Sequence, residues 1–152
     1  MTKAESKVID FIKKHILLFL LVAVTIIAIF LRVCGMDFQS DDFNSFLNSW
    51  WSIIKLNDFT GLATQVGNYN IPYQVIIYLM TLLPLNALYA YKIVSIIFDF
   101  VLAISTAMLV YSFAKNNRRI KAILTYSAVL LSATVIFNSS FGRSAIQFTP
   151  RL

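Results

Sequence analysis

From Ile16 to Leu31 the chain is apolar and uncharged, with Thr25 as its single polar interruption. His15 and Arg32 bracket this run and can snorkel toward water, so a span over 15–34 approaches the roughly 20 residues that a membrane-crossing helix needs. The chain then turns to Gly, Asn, Asp, Gln and aromatics until about Pro72. Pro72 to Leu83 is apolar again but covers only about a dozen residues before Pro84, too few to cross at ~1.5 Å per residue. That segment is predicted to be interfacial or re-entrant. Leu85 to Ala114 is a much longer apolar run containing Lys92 and Asp99, which predicts a second span over 88–114. Ala122 to Asn138 predicts a third, over 122–138. The fold class expected is all-α: a polytopic membrane domain over 1–141 with about three transmembrane helices and a first loop over 35–87.

Within that loop Phe43, Phe46, Leu47, Trp50, Trp51 and Ile54 recur at i, i+3, i+4, i+7, i+8 and i+11, while Asn44, Ser45, Asn48, Ser49 and Ser52 fall on the opposite side. This pattern predicts an amphipathic helix over 43–57 lying at the membrane surface. Its two tryptophans suit the headgroup region, where an apolar ring and a polar N–H are both satisfied.

Composition strengthens the membrane reading. With 59% hydrophobic residues, 13% charged residues and a mean hydropathy of +0.74, the chain lacks the polar surface that a soluble globule requires. The net charge of +6 is unevenly placed: Lys3, Lys7, Lys13 and Lys14 precede the first span, and Lys115, Arg118, Arg119 and Lys121 lie between the second and third. Positive segments stay on the cytoplasmic side during insertion, which sets the N-terminus inside, loop 35–87 on the outer face and the C-terminus outside. A four-span alternative, with Pro72 to Leu83 as a full crossing, would put the second cluster outside, against that rule. With the charge taken up in this way, no basic stripe is left to suit nucleic acid. The expected location is the cell membrane.

Cys34 is the single cysteine and His15 the single histidine, so there is no internal disulfide and no multi-histidine metal site. Leu31-Arg32-Val33-Cys34 has the spacing of a lipoprotein signal, yet Arg and Val stand where small residues belong. A cleaved secretory signal is disfavoured by the long apolar core and the lack of a small-x-small site after it.

Three carboxylates, Asp37, Asp41 and Asp42, lie within six positions at the start of the outer loop. Such groups can deprotonate a hydroxyl or hold a metal ion. Equally, Ser40, Asp41 or Asp42 can cap the surface helix, whose free N–H groups and dipole favour acceptors and negative charge. Asp99 inside an apolar span needs a partner, because a carboxylate there costs at least ~2.5 kcal/mol; Lys92 is two helical turns away, too far for direct contact. Asp99 therefore either packs against further helices or lines a cavity. Lys92 can attract a lipid phosphate or simply snorkel. Gly67-Asn68-Tyr69-Asn70-Ile71-Pro72-Tyr73 combines turn formers with a proline, and Tyr69 and Tyr73 can stack on a sugar ring or anchor at the interface.

Ser40-Asp41-Asp42-Phe43-x-x-Phe46-Leu47-x-x-Trp50, then Gly61, Gly67-Asn68-Tyr69-Asn70-x-Pro72-Tyr73 and Lys92-x-x-Ser95-x-x-Phe98-Asp99-Phe100, together resemble the amino-terminal part of bacterial membrane glycosyltransferases of the GT-C superfamily. These are distant relatives of the protein O-mannosyltransferases and lipid A aminoarabinose transferases. The resemblance covers about positions 10–140 and rests on spaced, ordinary residues. It implies an acidic residue of the first outer loop at the active site, matching Asp42 best and Asp41 next, and a polyprenyl-phosphate sugar as donor. Asp42 would be the general base toward an acceptor hydroxyl. Asp41 would support it or help bind a divalent cation, and Tyr69, Tyr73 and Lys92 are the substrate-binding candidates. No residue is assigned as a metal ligand.

Enzymes of this kind use many more than three transmembrane helices. The resemblance therefore implies an incomplete catalyst, inactive alone, whose missing carboxy-terminal part would be a separate chain. Beyond Phe141 the family continues with Trp and then Asp followed by an aromatic, whereas this chain reads Gly142-Arg143-Ser144-Ala145-Ile146. Phe-Gly codons (TTT-GGN) contain TGG for Trp and Ala-Ile codons can contain GAT for Asp, so 142–152 is expected to be an out-of-frame tail. The alternative function is a small non-enzymatic membrane protein that binds a lipid or a partner complex through its aromatic outer loop. A transporter fragment, resting on Asp99 alone, ranks last.

Overall fold

The computed structural model describes residues 3–67 and 70–141. Of these residues 83% are helical, and none is in a strand. Helix α1 (Lys3–Cys34) runs unbroken for 32 residues: no glycine or proline interrupts it, and it stops at Gly35. Next come a π-helical turn (Phe43–Leu47), α2 (Asn48–Asn57) and a 3-10 turn (Asp58–Ala63). Helix α3 (Ile71–Thr81) carries Pro72 in its first turn, where the missing N–H is no loss. Helix α4 (Ala87–Phe113) starts at Asn86, whose side chain accepts from the Tyr89 N–H at 2.9 Å. Helices α5 (Arg118–Leu130) and α6 (Ala133–Ile136) follow, and a second π turn (Phe137–Phe141) ends the described chain.

Two helices, Lys14–Cys34 and Ala87–Phe113, are long and apolar enough to cross a membrane, and a third span is available if α5 and the segment after it count as one. Only 17% and 6% of the two long apolar stretches are buried, so most of their hydrophobic side chains face outward. The second span expected over 88–114 thus coincides with α4. Helix α3 has 11 residues and is not among the candidate spans, as its length dictates.

The helical stretch at the third expected span starts earlier than 122. It begins at Arg118, so Arg118, Arg119 and Lys121 lie in the first turn of α5 and the connection from α4 shrinks to 114–117. It is also bent by 46° between Leu130 and Ala133. There the ladder tightens, with Leu131 N–H on Ser127 at 2.9 Å and Ser132 N–H on Val129 at 3.2 Å, before restarting from Ser132.

Two apolar clusters hold the helices together. One joins α1, α4 and α5 through Val24, Ala28, Ala103, Tyr126 and Leu130; Ala28 and Ala103 are fully buried, and their small side chains let the backbones approach. The Thr25 and Tyr126 hydroxyls meet at 3.0 Å beside it. The other gathers α2, α3 and the start of α4 around Phe43, Trp51, Ile54, Ile77, Met80 and Tyr91.

That second cluster corrects the surface-helix reading. The apolar face of α2 is covered by protein: Trp51 is 5% exposed, its ring 6.0 Å from Tyr91, so it is a core residue and not a headgroup anchor. Phe46, expected on the same face, is 53% exposed. Five positions before Trp51, Phe46 lies about 140° from it around a regular helix, at the edge of the stripe.

Trp50 lies beneath Gly67, which has φ +70°, and a Cβ built there would fall 2.5 Å from Trp50 Cζ2 and 2.8 Å from Nε1. Both the left-handed backbone and the indole exclude a side chain. Gly67→Ala is expected to destabilise the fold by about 1–3 kcal/mol, read as a lowered thermal midpoint of the purified chain. Gly61→Ala, where the nearest atom is Asn57 Cβ at 3.2 Å, is expected to cost less.

Candidate functional site

The acidic residues sit where α1 hands over to the α2 segment. Gly35, Met36 and Phe38 form turns back onto Arg32, Val33 and Gly35, with N–H to carbonyl distances of 3.1, 3.1 and 3.2 Å. The first turns of α4 grip this loop. Lys92, buried at 7% exposure, donates from its ammonium to the carbonyls of Gly35 and Phe38, and Tyr89 donates from its hydroxyl to Asp37 Oδ1 at 2.6 Å. Neither free snorkelling nor open phosphate capture describes Lys92, because two of its N–H groups are committed to the backbone. Asp37 is a loop fastener.

Ser40 follows, 6% exposed. Its Oγ accepts from the Phe43 N–H at 3.2 Å and its carbonyl from the Asn44 N–H at 3.2 Å. Of the three candidate caps, Ser40 does the capping. Asp41 and Asp42 occupy the first helical turn with exposed side chains, where the helix dipole favours negative charge. Among the described residues neither carboxylate has a hydrogen-bond or ion-pair partner. Ser40→Ala is expected to lower stability by about 1 kcal/mol, whereas Asp41→Asn or Asp42→Asn should change it by less than about 1 kcal/mol. Denaturant titration of the three variants checks this order.

Ser40 and Lys92 share a cavity of about 70 Å³ with Tyr91, Ser95, Asn138 and Ser139. Its size suits water and not a sugar, since small-molecule sites span ~300–1,000 Å³. Tyr73 is half-buried against the cluster containing Trp51 and Tyr91. Tyr69 and the tail 142–152 lie outside the described residues. No group of three or more His, Cys, Asp or Glu side chains that could hold a metal ion occurs among the described residues.

Asp99 has a partner that the sequence pattern did not reveal. Arg32 is fully buried and donates to Asp99 Oδ2 from Nε at 3.1 Å and from Nη2 at 2.9 Å. It also donates from Nη1 to the Ala28 carbonyl at 3.0 Å and from Nη2 to the Leu130 carbonyl at 3.1 Å. The Leu130 carbonyl is one that the α5–α6 break removes from the helical ladder. A single guanidinium thus ties α1, α4 and the bent third helix together, using the planar fork that suits Arg to this task. The expectation that Arg32 snorkels at the end of its span is therefore corrected. A signal was present: outside the two basic clusters only Arg32, Lys55, Lys92, Arg143 and Arg151 remain to partner Asp99.

No protein-family model, curated protein or solved structure matches the chain.

Proposed function

We propose that the chain crosses the membrane three times, with its N-terminus and the 114–117 turn cytoplasmic, and that it presents Asp41 and Asp42 on the outer face as part of a glycosyltransferase site of GT-C type. The observation that carries this reading is the pair of exposed, unpartnered carboxylates at the start of a helix whose capping is done by Ser40. Helix capping does not explain them. The topology is supported by charge: both basic clusters belong to one end of the bundle, and loop 35–87 between them carries a single basic residue, Lys55.

In the proposed reaction Asp42 takes the proton of an acceptor hydroxyl as that oxygen bonds to the anomeric carbon of the sugar. The bond from that carbon to the polyprenyl-phosphate oxygen breaks, and the phosphate leaves with the electron pair. Asp41, the neighbour of Asp42 in the chain, accepts a hydrogen bond from the Asp42 carboxyl once that group carries the proton. Lys92 holds the 35–38 loop in place, and Tyr69 and Tyr73 are the residues proposed to bind the sugar. Further transmembrane helices on a separate chain would complete the donor cavity along the outward faces of α1 and α4.

Membranes from cells that make the chain, compared with membranes from cells lacking its gene, test the proposal. With radiolabelled polyprenyl-phosphate hexoses, label is expected to move from the lipid to a second product only where the chain is present. Equal transfer in both membranes would leave the non-enzymatic reading in its place.

A further inference from the structure

Between α1, α4 and α5 lies a groove of about 430 Å³, lined by Leu21, Ala107, Met108, Ala122, Ile123 and Tyr126 among others. It is separate from the carboxylate loop. Two of its three polar side chains have partners of their own: Ser112 Oγ bonds to the Met108 carbonyl at 2.9 Å and the Tyr126 hydroxyl to Thr25 at 3.0 Å, while the third, Tyr111, is exposed. A hydrocarbon chain can fill such a space, and a small polar ligand finds little to bind there.

The mouth of the groove is basic. Arg118 and Arg119 are one helical turn before Ala122 and Ile123, on the same face of α5, and both are exposed. Lys115 and Lys121 flank them, also exposed. The contact between Thr25 and Tyr126 sets the depth scale. At ~1.5 Å per residue, Arg119 on α5 and Lys14 on α1 are about 10 and 16 Å away from it toward the same end. Three of these cations occupy the first turn of α5, where the helix dipole is itself positive and disfavours them. Among the described residues no salt bridge neutralises them.

From this combination we infer that the groove and its basic mouth form a site for an anionic phospholipid, the acyl chain lying between the helices and the phosphate meeting Arg118 and Arg119. Basic pockets between transmembrane helices on the cytoplasmic side take such headgroups. A second copy of the chain fits less well, since a neighbour in the same membrane orientation would set its own basic turn at the same depth, within the reach of unscreened repulsion. The inference rests on the membrane-spanning part of the proposed function and not on sugar transfer.

Native mass spectrometry of the full chain in a neutral detergent tests it, with dioleoyl phosphatidylglycerol and dioleoyl phosphatidylcholine titrated separately. Phosphatidylglycerol is expected to bind at least about 10-fold more tightly. The double variant Arg118→Ala/Arg119→Ala is expected to lose that preference. Ala107→Trp, which fills the groove and leaves the cations in place, is expected to weaken both lipids, and circular dichroism confirms that each variant remains helical. Soluble glycerol phosphate should not displace the lipid. Equal affinity for the two lipids, a preference that survives the double variant, displacement by glycerol phosphate, or a dimer that seals the groove would each overturn the inference. Release of the chain from membranes by alkaline carbonate would instead remove the spanning reading on which it rests.

Discussion

Asp99→Ala is expected to destabilise the chain by about 3–5 kcal/mol, because it leaves the fully buried Arg32 guanidinium without its counter-ion. Most of that loss would come from the stranded charge and not from the net worth of the pair. The double variant Arg32→Met/Asp99→Leu should therefore recover a large part of it. Recovery should be incomplete. Arg32 also satisfies the Leu130 carbonyl at the α5–α6 break, and an unsatisfied buried acceptor costs about 1–3 kcal/mol. Arg32→Lys should behave poorly, since a single ammonium cannot reproduce the fork that reaches Asp99, Ala28 and Leu130 together. Unfolding in a denaturing detergent, followed by circular dichroism, measures all four proteins. A loss under about 1 kcal/mol for Asp99→Ala would mean that the three helices do not meet at this pair.

Asp42→Asn is expected to slow sugar transfer by about 10²–10⁴-fold in membranes where the variant replaces the parent chain, the range that loss of a general base produces. The substitution keeps the shape of the side chain and removes its basicity. Because Ser40 supplies the cap, chain abundance and helicity should stay at parental levels, so a rate loss can be read as chemistry. Asp41→Asn should have a smaller effect, and Asp37→Asn should act through the loop, by weakening the contact with Tyr89. Unchanged transfer by Asp42→Asn at equal abundance would remove the catalytic assignment while leaving the fold intact.

The long elements were legible because a continuous apolar run has one structural solution. Ile16 to Leu31 and Leu85 to Ala114 could only be long helices, and α3 announced itself as too short between Pro72 and Pro84. Residues with two solutions were not legible. A basic residue at the end of an apolar run can snorkel or turn inward, and for Arg32 the choice depends on Asp99, 67 positions away, and on a carbonyl freed by a break in a third helix. That break, at Leu131 and Ser132, carries neither glycine nor proline. The apolar stripe over 43–54 grouped Phe43, Trp51 and Ile54 on one face, but periodicity does not distinguish a lipid interface from a protein core, and α3 and α4 cover that face. In the candidate site the sequence singled out Ser40, Asp41 and Asp42 together; only the hydrogen bond to the Phe43 N–H separates the capping residue from the two carboxylates.

Which side of the membrane those carboxylates face decides the central claim. Thiol labelling of intact cells with a membrane-impermeant maleimide measures it, in a Cys34→Ser background carrying either Asn44→Cys, exposed one turn after Asp41, or Asn116→Cys in the α4–α5 turn. Labelling at position 44 without lysis, and at position 116 only after lysis, is the predicted result. Labelling of 116 on intact cells, with 44 protected, would place the acidic loop inside and contradict it.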